Sequence, residues 1–255
     1  MARIGKDEVR TAVRDRYGAV ARNQASGCGC SSSCDCASAD QKSVAMGYSA
    51  EDVASAPDGA NLGLGCGNPQ AIASLKPGET VLDLGSGGGF DCFLAAKAVG
   101  ARGKVIGVDM TADMVALSRM NARKASAANV DFRLGEIEHL PVADSSVDVI
   151  ISNCVINLSP EKPQVFMEAF RVLKSGGRLA VSDVVASAEV PESLRSDMES
   201  VSACVGGASS VGELQAMLED AGFQEIRIRP REESRSFIKE WSDLVLSATI
   251  EAVKR

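Results

Sequence analysis

From Glu79 onward the chain alternates short apolar runs with amphipathic stretches. The runs E-T-V-L-D-L (79–84), K-V-I-G-V-D (104–109), V-D-F-R-L (130–134), V-D-V-I-I-S (147–152) and R-L-A-V-S-D (178–183) predict strands. Between them, F-D-C-F-L-A-A-K-A-V, T-A-D-M-V-A-L-S-R-M-N-A-R-K-A and Q-V-F-M-E-A-F-R-V-L carry apolar residues at helical spacing, and Gly100 and Gly176 sit where C-terminal caps belong. Such alternation predicts a parallel sheet covered on both faces. Upstream, Val9, Val13, Tyr17 and Val20 or Ala21 predict an amphipathic packing helix over Asp7 to Ala21. Residues 23–41 hold almost no large apolar side chain and predict a mobile loop. After Asp183, P-E-S-L-R-S-D-M-E-S-V-S-A-C-V and G-E-L-Q-A-M-L-E-D-A-G predict helices, and E-I-R-I-R and S-A-T-I-E-A-V predict late strands.

With 255 residues, no internal repeat and no long linker, the economical organisation is one domain with an N-terminal appendage. Its parts are 1–60 (helix and Cys-rich loop), 61–185 (the alternating core) and 186–255 (a C-terminal part completing the sheet). The chain carries 27 Lys and Arg against 34 Asp and Glu, a net charge of -7, so nucleic acid and anionic lipid are unfavourable partners. No apolar run approaches the ~20 residues that span a bilayer, and M-A-R-I-G-K-D-E lacks a secretory h-region, so the expectation is a cytoplasmic protein without a membrane partner. Eight cysteines in such a chain point to metal or redox chemistry rather than to disulfide staples.

Two glycine runs separate the chemistry. D83-L-G-S-G-G-G89 follows a strand and opens a helix, where glycine permits positive φ and close approach of backbone to a ligand. Asp109 ends the second strand, 26 positions after Asp83, where a carboxylate can accept both hydroxyls of a ribose. The glycines read G-x-G-x-G rather than the dinucleotide G-x-G-x-x-G, which leaves NAD as the competing ligand. The pattern D-x-G-x-G-x-G resembles the first motif of the class I S-adenosylmethionine-dependent methyltransferases. That resemblance implies a Rossmann-like α/β fold with a mostly parallel seven-stranded sheet. It also implies cofactor contacts from Asp83, Gly85, Ser86, Gly87, Gly89, Asp109, Met110 and Asn153, with Glu136 on the adenine amino group and Ile137 on its ring.

The other run, N-L-G-L-G-C-G-N-P (61–69), has no strand before it; Asn68 and Pro69 read as N-cap and first-turn residue of the helix P-Q-A-I-A-S-L. It presents Cys66 in a tight loop. Cys154 lies just past the fourth strand, where ligands gather in open α/β sheets, and Cys204 lies in a segment able to fold over the same end. For each thiol, packing as a small buried hydrophobe is the competing reading, and it is the one assigned to Cys92. His139, the single histidine, reads as a loop residue.

G-L-G-C-G-N-P, G-E-I-E-H-L-P-V, S-N-C-V-I-N-L and K-S-G-G-R-L-A-V-S-D together resemble the arsenite S-adenosylmethionine methyltransferases, from about Tyr17 to the C-terminal strand. The resemblance implies that Cys66, Cys154 and Cys204 act as catalytic ligands of trivalent arsenic. It further implies an arsenite substrate, free or as a thiol adduct, and an external thiol reductant such as glutathione or thioredoxin. C-G-C-S-S-S-C-D-C offers Cys28, Cys30, Cys34 and Cys36 as an arsenic relay, a metal buffer or a surface segment, and its C-x-C spacing does not match structural zinc sites. The alternative enzyme is a quinone-type C-methyltransferase, which needs no thiol trio. An aromatic N-P-P-Y-like block, expected for nucleic-acid amino methylation, is absent after the fourth strand.

Overall fold

The computed structural model describes residues 5–25, 38–202, 204–236 and 243–255. Cys28, Cys30, Cys34 and Cys36 lie outside the described residues. Among the described residues four helices come first: α1 (Lys6–Ala25), α2 (Ala39–Ala45), α3 (Ala50–Ser55) and α4 (Gln70–Ala73). The alternating core follows as β1 (Thr80–Leu84), α5 (Phe90–Val99), β2 (Lys104–Asp109), α6 (Ala112–Lys124), β3 (Val130–Leu134), β4 (Val147–Asn153), α7 (Lys162–Val172) and β5 (Leu173–Ala186). The remainder is α8 (Glu192–Arg195), α9 (Met198–Ser202), β6 (Ser209–Ser210), α10 (Val211–Asp220), β7 (Gln224–Pro230) and β8 (Val245–Val253).

The sheet runs β3-β2-β1-β4-β5-β8-β7, with the two-residue β6 attached beside β5. Its first five strands are parallel, whereas β8 is antiparallel to both β5 and β7. The period of two along β1 sorts the core: Leu82 and Leu84 pack with Phe166 of α7 and Leu218 of α10, while Val81 packs with Cys92 and Phe93 of α5 on the opposite face. Each fully buried Leu or Phe of this kind contributes about 1.5–3 kcal/mol. The order places the parallel strands β1 and β4 side by side at the centre, where the strand order reverses and ligands bind outside the carboxyl ends.

Three local expectations need correction. The loop expected over 23–41 gives way to helix at both of its described ends, because α1 continues to Ala25 and Ser38 caps α2, with its hydroxyl accepting the Gln41 N–H and the Gln41 side chain accepting the Ser38 N–H. Gly176 is not a helix cap. α7 ends at Val172 and passes directly into β5, where Leu173 already pairs with Val147; Gly176, at φ 81°, lies inside that strand and donates to the Lys254 carbonyl. Third, α4 starts at Gln70 with Pro69 as its cap residue, although the Asn68 side chain still accepts the Ala71 N–H at 3.3 Å.

Candidate functional site

β1 delivers Asp83 to the sheet's carboxyl end, and the chain then turns through Gly85, Gly87 and Gly89 at φ 71°, 50° and 96° into α5. A Cβ on Gly85 would enter the Val155 side chain, so the loop closes only with glycine there. The Gly85 and Ser86 N–H groups both donate to the Val108 carbonyl, at 2.8 and 3.0 Å. Asp109 braces the turn from β2, accepting the Gly87 N–H at 2.9 Å and the Thr111 N–H at 2.8 Å.

Above this loop lies a cavity lined by Asp83, Asp91 and Asp109, by Met110, Met114 and Ile137, and by Val13 and Tyr17 of α1. Burial raises the pKa of all three carboxylates. Asp83 rises furthest, through burial and then through the neighbouring charge of Asp91. Its side-chain donor is the Cys92 thiol, 3.2 Å away, so Cys92 both packs α5 and holds the motif carboxylate. Asp91 is better satisfied, by the Tyr48 hydroxyl at 2.8 and 3.0 Å and by Gln70 at 3.3 Å. Three carboxylates around one cleft, one of them held among the described residues by a thiol alone, form an environment that a cationic ligand would neutralise, which fits a sulfonium carrying an α-amino group.

The three cysteines singled out in the sequence converge at one end of this cavity. Cys66 and Cys154 are joined as a disulfide across 88 residues, with their Cα atoms 5.8 Å apart. The Cys204 thiol donates to the Cys154 carbonyl at 3.2 Å. All three are buried, at 5%, 8% and 4% exposure, in one cluster with Val9 and Val13 of α1. Cys154 lines the cavity and Cys66 and Cys204 do not; the ligand atoms that lie within 4.8 Å of one another are those of Cys66, Cys154 and Asp183, without the Cys204 sulfur. Cys154 and Cys204 hold left-handed backbone, φ 58° and 67°, which non-glycine residues rarely adopt outside sites where the surroundings impose it.

Buried charges flank the sulfurs. The Asp183 carboxylate lies within 4.8 Å of the Cys66 and Cys154 sulfurs and accepts the Ile156 N–H and the Asn157 amide, both at 2.9 Å, and the Val184 N–H at 2.7 Å. Burial pushes Asp183 up to about 6, partly offset by those donors and by Lys162. Lys162, brought down to about 8 by burial, donates to the Ser209 hydroxyl at 2.8 Å and to the Gly207 carbonyl, anchoring the loop that carries Cys204. Burial also pushes the Cys204 thiol well above its ordinary value.

Among the residues expected at the cofactor, Asp83, Gly85, Ser86, Gly87, Asp109, Met110, Ile137 and Asn153 line the cavity. Glu136 does not. Arg10 and Arg14 of α1 draw it to the outside, its Oε2 3.6 Å from the Arg10 Nε, and Glu138 lines the cavity in its place. Gly89 caps α5 against Phe93 and Phe132 instead of facing the cleft. His139 is an exposed loop residue, as expected. Sequence reasoning missed Tyr48, Asp91, Asp183 and Lys162. Asp91 and Asp183 carried a positional signal, one in the first turn after the glycine loop and one at a strand's carboxyl end; Tyr48 and Lys162 carried none.

Comparison with known proteins bears on this geometry. The methyltransferase domain family matches residues 75–222, more than half the chain. The fold and that match define a class I S-adenosylmethionine-dependent methyltransferase. An arsenite methyltransferase of Halobacterium salinarum is 53% identical over 97% of this chain and 67% of its own length. The chain belongs to the arsenite methyltransferase family. It spans 49% of the arsenite methyltransferase of Aquipseudomonas alcaligenes, with 45% identity over 64% of this chain. The crystal structure of the arsenic(III) S-adenosylmethionine methyltransferase of Chlamydomonas reinhardtii matches at a TM-score of 0.62 and 31% identity, over 86% of this chain and 74% of that one. Among the described residues no helix is long and apolar enough to cross a membrane.

Proposed function

We propose that this chain methylates trivalent arsenic, converting arsenite to methylarsenite and dimethylarsenite in the cytoplasm as a detoxification step. The observation that carries this reading is the meeting of Cys66, Cys154 and Cys204 beside a cleft walled by carboxylates. Residues 61–185 form the catalytic core, the described residues of 186–255 complete the sheet and bring in Cys204, and the described residues of 1–60 cover the cleft.

Trivalent arsenic is soft, so thiolates displace its hydroxides, each thiol proton leaving with a hydroxide as water. With three sulfurs in place the arsenic keeps one lone pair. It therefore needs no base to become a nucleophile, which agrees with a site lacking histidine. S-adenosylmethionine, when bound by Asp83, the glycine loop and Asp109, supplies an electrophilic methyl group on a sulfonium. Orienting the lone pair toward that methyl and keeping water out are effects worth up to ~7–11 kcal/mol. Methylation formally oxidises arsenic by two electrons, so each cycle needs a thiol reductant; glutathione or thioredoxin fits this role and would also open the Cys66–Cys154 disulfide before arsenic can load.

The test is methyl transfer from S-adenosylmethionine to arsenite in the presence of a dithiol, with products resolved over time. Cys154→Ser and Cys204→Ser are expected to abolish transfer while donor affinity stays within about twofold, and a quinone precursor is expected to remain unmethylated. Full arsenite activity in either variant would remove the assignment.

A further inference from the structure

Asn153 ends β4 between the cleft and the sulfurs, and its amide connects them. Its Oδ1 accepts the Cys66 N–H at 3.0 Å, and its Nδ2 donates to the Gly67 carbonyl at 2.8 Å and to the Tyr48 hydroxyl oxygen at 3.0 Å, with a longer direct contact to the Asp91 carboxylate at 3.4 Å. Tyr48 donates in turn to Asp91, which faces Asp83 in the cavity. The Cys66 N–H and Gly67 C=O belong to a loop outside the sheet, so this one side chain takes the place of a backbone partner on either side of the Cys66 sulfur. Its chain neighbour is Cys154. A path of three hydrogen bonds thus runs from the backbone of one thiol to a carboxylate that a cationic donor would meet.

We propose that Asn153, acting with Tyr48 and Asp91, is a positioning relay through which an occupied methyl-donor cleft holds Cys66 in place and so tightens the thiol site for trivalent arsenic. The physical cause is hydrogen-bond direction. A cation in the cleft favours ionised Asp91, which can only accept from the Tyr48 hydroxyl; the Tyr48 oxygen is then left free to accept from Asn153. A neutral Asp91 can donate to Tyr48 instead and compete for that oxygen. The loop bearing Cys66 would then lose the fixed orientation of its anchor. Because binding free energies are reciprocal, an arsenical on the thiols must tighten the donor by the same factor.

The inference rests on the arsenical reading of the three thiols, and calorimetry on the dithiol-reduced protein separates the two. The probes are methylarsenite and sinefungin, an unreactive analogue that keeps a positive charge where the donor carries its sulfonium. Saturating sinefungin is expected to lower the methylarsenite Kd about fivefold or more, with an equal factor in the reverse order of addition. In Asn153→Ala, each Kd being read alone and with the other ligand saturating, the factor should fall below about twofold; Tyr48→Phe, which keeps the ring and removes only the hydroxyl, should do the same. A coupling factor near one in the parent protein, or an undiminished factor in both variants, would overturn the relay. Failure of methylarsenite to bind the reduced parent protein at all would instead overturn the arsenical reading.

Discussion

Asp183 sits beside two sulfurs as a buried acid that burial lifts to about 6, although three donors and Lys162 work against the rise. A carboxylate whose folded pKa stands above its unfolded value of about 3.9 favours the native state when protonated, and that advantage disappears as pH climbs through the folded value. At about 1.4 kcal/mol per unit, Asp183 alone costs the native state about 3 kcal/mol between pH 4 and pH 7. Asp83, Asp91 and Asp109 are displaced in the same direction, mainly by burial. Urea midpoints of the ligand-free protein should therefore fall from pH 5 to pH 7.5, and Asp183→Asn should lose part of that fall; an identical pH dependence in the variant would remove Asp183 as a contributor. The thiols were legible at this scale because a cysteine inside a glycine run, or just past a strand, stands out locally. Tyr48 was not, since its importance comes from Asp91 and Asn153, 43 and 105 residues away.

At the scale of elements, α1 does more than pack. Its Arg10, only 12% exposed in its side chain, reaches Glu161 at 2.6 Å and Glu138 at 3.5 Å, and Lys6 adds a second contact to Glu161 at 2.7 Å, while Val13 and Tyr17 form one wall of the cavity. Solvent around Glu161 screens these contacts and weakens them. Arg10→Ala is thus expected to raise the donor Kd about fivefold and to reduce its dependence on salt, compared by calorimetry at 0.1 and 0.6 M NaCl. The amphipathic period announced this helix but not that Arg10 would meet Glu161 and Arg14 Glu136, both more than a hundred residues away. The loop after α9 gives a second test. A Cβ on Gly207 would collide with the Asn157 carbonyl, so Gly207→Ala must displace the segment carrying Cys204. Methylarsenite binding should drop at least tenfold while donor binding changes less than twofold; unaltered methylarsenite affinity would show that Cys204 is not a ligand.

For the molecule as a whole, the Cys66–Cys154 disulfide closes a loop of 88 residues. Loop-closure entropy assigns such a link about 4–5 kcal/mol, so the melting temperature should fall when a dithiol is added. A trivalent arsenical bound to the freed thiols should recover part of the loss, because a ligand selective for the native state stabilises it by mass action. Scanning calorimetry of oxidised, reduced and arsenical-loaded protein checks the order; an arsenical that leaves the reduced midpoint unchanged would contradict binding between the thiols.

The chain's local pattern was enough to determine the seven main strands, the core helices and the glycine turn after β1, because strand and helix periods and the backbone freedom of glycine act over a few residues. It did not determine that β8 runs antiparallel, that Leu173 leaves α7 straight into the sheet, or that Glu136 turns to α1. Nor could it bring residues 66, 154 and 204 together with Asp183 and Lys162. Those outcomes depend on which strands become neighbours and which side chains lose their water, and both follow from packing among residues far apart along the chain.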